Sequence, residues 1–222
     1  MANNEIISVE KMNQLLDWSY DKAINGVPGT SSAIELAEDY LKETGTLEEK
    51  IDKLIRNQNI KCSTSGFITG LGGGITMGVA IPADMTCTIY IELRMIAAIA
   101  YMCDKDIHSD QVKTLALACL LGDKGLNLVR DCGIQIGKKM TMQLIKKIPG
   151  EVIIQINKTV GFRLITKMGT KGSINLVKAV PFMGGIVGGG LNLLASNAIG
   201  KSAKKMFYSG ENKDDTVTID VN

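Results

Sequence analysis

Histidine is nearly absent from this chain: His108 is the single one in 222 residues. A histidine-based nucleophile triad or a histidine-rich metal site would rest on that one position, so neither is expected. Aromatic residues make up only 5% of the sequence. That is too few for base stacking, and nucleic acid is not an expected partner. The five cysteines, Cys62, Cys87, Cys103, Cys119 and Cys132, form no CxxC pair and are odd in number. They read as small buried hydrophobes in a reducing compartment, not as a disulfide frame or a zinc site. The first ten residues carry acidic side chains and no apolar signal core, which points to a cytoplasmic protein that can lie on, or insert into, the inner face of the membrane.

Nucleotide and metal motifs are also incomplete. Gly200, Lys201 and Ser202 resemble the end of a phosphate loop, but Ala195 stands where its first glycine belongs and no strand precedes it. The run 70–74 misses the dinucleotide fingerprint because Ile75 occupies the last glycine position. Asp104, Asp106, His108 and Asp110 alternate like metal ligands, yet Ser109 and Leu115 replace the glycine and glutamate of an EF-hand loop. A solvated turn leading into a helix capped near Ser109 accounts for them. No cofactor, metal or catalytic residue is expected.

What the chain has in quantity is glycine, 24 residues, and much of it is periodic. Gly66, Gly70, Gly74 and Gly78 recur every fourth position in the apolar stretch 66–82, and Gly184, Gly185, Gly188 and Gly189 repeat the small-residue spacing later. At helical pitch such residues line a bare backbone stripe that lets another helix approach closely. Each glycine inside a helix costs roughly 1 kcal/mol against alanine, so close packing must offset that cost.

The remaining pattern predicts an all-α fold. Helices are expected from a Ser8 cap to about Asn25, over 31–42, over 47–59, over 110–121, over 133–148 and over 151–168. The last shows the stripe Ile156, Val160, Leu164 and Met168. The apolar stretches 66–103 and 179–191 are interrupted by Pro82, Asp84, Glu92, Arg94 and flanking polar residues. Spanning a bilayer needs about 20 predominantly apolar residues, so buried or interfacial hairpins are preferred to clean spans. The expected organisation is one domain, residues 1–208, with a helical lead-in (1–62) and a glycine-rich apolar core with basic helices (63–208). An acidic tail, 209–222, follows.

Two polar groupings are candidates for function. Asp84, Thr88 and Glu92 are spaced four apart and share one helical face, with Arg94 rotated by about 200° from Glu92. Such a carboxylate face in an apolar helix must be paired, hydrated or protonated. It is either a ligand, proton or cation site, or a helix-terminal Asp84 with Glu92 and Arg94 paired to charges from other helices. The second grouping is basic: Lys138, Lys139, Lys146, Lys147, Lys158, Arg163, Lys167 and Lys171, with Asp131 and Glu151 the main acids nearby. It reads equally as a face for anionic lipid and as a solvated surface. Lys201, Lys204 and Lys205 read as a basic helix end.

The blocks GFITGLGGGITMGVAIPADM (66–85), LRMIAAIA (93–100), ACLLG (118–122), GFRLITKMGTKG (161–172) and VPFMGGIVGGG with AIGKSAKKMF (180–207) resemble the EcsC protein family, in order and over nearly the whole chain. The resemblance implies a bacterial helical protein associated with membrane systems and brings no catalytic residue with it. The leading expectation is a non-enzymatic protein that associates with membrane, with anionic lipid or a membrane protein as partner. A soluble interaction module, regulatory or immunity partner of a transporter, toxin or other membrane system, is the alternative. An enzyme built on Asp84 and Glu92 is a third.

Overall fold

Capping chemistry sets the first helices. The structure, a computed structural model, describes residues 8–27, 29–63, 83–137, 140–173, 186–208 and 210. Ser8 accepts from the Lys11 amide at 3.2 Å and opens α1 (Val9–Asn25). Ser32 and Glu35 form a reciprocal capping box, 3.1 and 2.7 Å, at the start of α2 (Ala33–Leu41). Each such cap satisfies amides that the first turn leaves without partners. The chain continues through α3 (Leu47–Ser63), α4 (Ala83–Met102) and α5 (Asp110–Cys119), the last capped by Ser109 as its spacing predicts. Then come α6 (Asp123–Asp131), α7 (Met142–Lys146), α8 (Gly150–Ser173) and α9 (Ile186–Phe207). Among the described residues there is no strand, only a Val27–Thr30 bridge. The fold is an all-α bundle.

Helix α4 is its axis, in contact with α1, α2, α3, α5 and α9. Its window Met85–Met102 has mean hydropathy 1.3, long and apolar enough to cross a bilayer, but 83% of it is buried inside the protein. Ile89, Ile91, Leu93, Met95, Ile96 and Ile99 are all buried, each stabilising the fold by roughly 1.5–3 kcal/mol. Around this axis α8 lies against α1, α5 and α6, while α9 lies against α3, α4, α5 and α6. The predicted stripe of α8 faces inward at Ile156, Val160 and Leu164.

Two sequence readings need correction. The segment 133–148 is not one helix; among its described residues only Met142–Lys146 is α-helical. Gly133 and Gly137 have φ of +78° and +72°, a left-handed backbone that breaks helical propagation. Gly133 instead closes α6, with its amide on the Arg130 carbonyl and the Ile134 amide on the Val129 carbonyl. The second correction is α6 itself, a nine-residue helix that the periodicity did not suggest, hidden by its length and by Gly122 and Gly125 at its start.

Close helix approach occurs at particular glycines. A Cβ on Gly200 in α9 would lie 2.7 Å from Cγ2 of Ile55 in α3. On Gly161 in α8 it would overlap Asn13 of α1, and on Gly125 it would overlap the backbone carbonyl of Ala118. Gly188 and Gly189 belong to α9. Gly66, Gly70, Gly74, Gly78, Gly184 and Gly185, and the tail 211–222, lie outside the described residues. Ion pairs bind the periphery: Lys204 of α9 meets Asp52 at 2.7 Å and Glu48 at 2.9 Å on α3, and Lys205 meets Asp123 at 2.9 Å. Partial burial works against the Lys204 ammonium, but the two carboxylates outweigh it and raise its pKa.

The backbone contact at Gly125 gives a test. Gly125→Ala forces the α5–α6 corner apart and should lower stability by about 1–3 kcal/mol in urea unfolding. Gly150→Ala, whose Cβ meets open space, should be neutral or stabilising by up to about 1 kcal/mol.

Candidate functional site

The polar residues of α4 look in two directions. Arg94 is 4% exposed. Its guanidinium donates to the Ser31 carbonyl before α2 and to Oε1 of Gln58 on α3, both at 3.1 Å, and stands 5.9 Å from the centroid of the Tyr90 ring, within cation–π range. Tyr90 lies one turn earlier on α4, and its hydroxyl is 2.8 Å from Oγ1 of Thr30. The partners of Arg94 among the described residues are thus neutral, where the sequence suggested an acid. Two buried donors of this cluster, Arg94 Nε and Gln58 Nε2, have no hydrogen-bond partner among the described residues. The cluster fastens α4 to the Val27–Ser32 corner and to α3.

Glu92 points elsewhere. It is buried, and Ser196 of α9 donates to its Oε1 at 3.3 Å. Thr88, one turn earlier, is exposed, and Asp84 is the second residue of α4. Glu92 and Arg94 therefore do not converge. Thr88 meets solvent, Glu92 joins α4 to α9, and Arg94 joins it to α2 and α3. Among the described residues, no group of three His, Cys, Asp or Glu is placed to hold a metal ion. Burial raises the thiol pKa of Cys103 to about 12 and that of Cys119 further, which keeps both protonated.

Four of the eight basic residues have described side chains. Lys146, Lys147 and Lys158 are exposed, whereas Arg163 is half-buried and donates to the Lys124 carbonyl at 3.2 Å. Lys167 and Lys171 continue α8 on the helical line of Val160 and Leu164. Lys138 and Lys139 lie outside the described residues.

A second surface was not singled out by composition. Ile154 is 68% exposed and Phe162 is 56% exposed, eight residues apart on the outer line of α8, with exposed Lys158 midway between them. Leu144 of α7 is exposed nearby in sequence, beside Lys146 and Lys147. Glu151, in the first turn of α8, is the one acid of that line. The signal was present in the sequence as two large apolar residues opposite the stripe Ile156, Val160 and Leu164. It was masked because α8 is apolar on both lines.

Comparison of the chain with known protein families, curated proteins and solved structures finds no match.

The cluster around Arg94 predicts strong coupling. Gln58→Leu should destabilise the protein by about 1–3 kcal/mol, because it removes an acceptor from a buried cation. The double substitution with Arg94→Met should cost less than the sum of the singles by about 1–3 kcal/mol in a denaturation cycle.

Proposed function

We propose that this protein is a non-enzymatic, EcsC-like helical protein that docks peripherally on anionic membrane through α7 and the outer line of α8. The observation that carries this reading is the exposure of Ile154 and Phe162 on either side of Lys158, continued by Leu144, Lys146 and Lys147. Large apolar side chains flanked by lysine suit a bilayer interface. The apolar groups enter the acyl boundary, while each lysine near the surface contributes about 1 kcal/mol against anionic head groups. Residues 138–171 contain eight basic residues and one acid, Glu151, which favours negative lipid. Helix α4 is employed in the core and is not needed for this attachment.

The second reading is a soluble interaction module that presents the same face to an acidic partner, such as a component of a transporter or toxin system. It is favoured by the burial of the one helix, among the described residues, that has the length and hydropathy of a span. The third reading, chemistry at Asp84 and Glu92, is weakened because Arg94 turns away from Glu92 toward Ser31 and Gln58.

Flotation with vesicles of phosphatidylcholine, with and without phosphatidylglycerol, decides the leading reading. The protein should float with the anionic vesicles at low salt and less so at high salt, where screening shortens the reach of the lysines. The triple variant Lys146→Glu, Lys147→Glu and Lys158→Glu should lose about 100-fold or more in affinity, and Ile154→Ser with Phe162→Ser should bind weakly at either salt. Absence of flotation at both ionic strengths contradicts the proposal.

A further inference from the structure

The loop between α6 and α8 encloses a groove of about 410 Å³, whose walls include Cys132, Ile134, Leu144, Ile148 and Val152, with Lys147 at its edge. Its shape follows from the glycines that break the expected helix. Gly133 turns the chain out of α6, and Ile134, the next residue, lines the groove; Gly137 has a left-handed backbone as well. The volume is in the range of small-molecule sites, roughly 300–1,000 Å³. The walls are mostly apolar, with Gln135 and Lys147 the polar side chains among them, and none of the lining residues is an acid; Glu151 lies outside them. Leu144, which lines the groove, is also one of the exposed residues in the proposed membrane surface.

We propose that this groove binds one long-chain acyl group carrying an anionic head, with the chain along Ile134, Ile148 and Val152 and the head on the Lys147 ammonium. A mostly apolar slot, with Gln135 its one side-chain amide, favours a ligand whose body is hydrocarbon, while Lys147, the cation among the described lining residues, selects a negative end. The dipole of α8, which begins at Gly150 beside the groove, favours the same sign of charge. The proposal deepens the membrane reading, since a bilayer lipid is one source of such a chain, but a free fatty acid would satisfy the same chemistry.

Cys132 supplies the readout. It is a free, half-buried thiol in the groove wall, so an occupant shields it. Iodoacetamide labelling at mildly alkaline pH, read by peptide mass spectrometry at Cys132, is compared for the protein alone, with dispersed palmitate and with phosphatidylglycerol vesicles. Palmitate at ten times its dissociation constant should slow labelling about tenfold, the factor by which vacant sites are depleted. Val152→Trp, which fills the groove, should remove the dependence on palmitate, and Lys147→Glu, a surface change with little bearing on folding, should weaken palmitate binding. Vesicles should protect Cys132 in the wild type and add no further protection in Val152→Trp.

The outcomes separate the two readings. Protection by palmitate without vesicle flotation upholds the groove and rejects the membrane surface. Flotation with Cys132 labelled at an unchanged rate in every arm overturns the groove while leaving the surface intact. Equal additional protection by vesicles in wild type and Val152→Trp means that the bilayer merely covers the thiol, and also overturns the proposal. If Val152→Trp does not fold, palmitate binding unaltered by Lys147→Glu removes the assigned head-group contact and overturns it.

Discussion

The burial of α4 is the constraint on which the rest depends. A helix this apolar must be covered by lipid or by protein, and here α1, α2, α3, α5 and α9 cover it. Covering a featureless apolar rod would leave its neighbours free to slide. Arg94 and Glu92 remove that freedom by fixing α2 and α3 on one side and α9 on another through hydrogen bonds of defined geometry. The cost of burying these groups is offset only while their partners stay in place, so the polar residues specify which helices meet.

Close contact at single glycines completes the packing. At Gly200 and Gly161 the missing Cβ allows α9 to approach α3 and α8 to approach α1, and at Gly125 it allows a tight corner between α5 and α6. Packing at this spacing gains many weak dispersion contacts while it excludes water. On the opposite line of α8, Ile154 and Phe162 are exposed. One line of α8 thus packs into the core while the other presents large apolar side chains at the surface.

Much of the fold was legible in the sequence because helix starts are local chemistry. Ser8 and Ser109 announce α1 and α5, the capping box of Ser32 and Glu35 begins α2 within two residues of the expected position, and the spacing of Ile156, Val160 and Leu164 gives the inner line of α8. What failed was also local. Gly133 and Gly137 sit among apolar residues of helical spacing, and only their positive φ shows that the backbone leaves the helix. The site was legible in part. Arg94 stood out as a charge in an apolar helix, but its partners Gln58 and Ser31 are 36 and 63 residues away, and a neutral amide gives no sign in sequence that it will meet a cation.

The most direct measurement of the central claim is amide hydrogen exchange followed along α4. Residues buried on all sides by protein should exchange only when the bundle opens, so α4 is predicted to be among the slowest segments in water without detergent or lipid. Its rates should stay unchanged when anionic vesicles are added, while protection appears in α7 and α8. Rapid exchange of α4 in water, or slowing of α4 itself on addition of vesicles, would show that lipid and not protein covers this helix and would contradict the account.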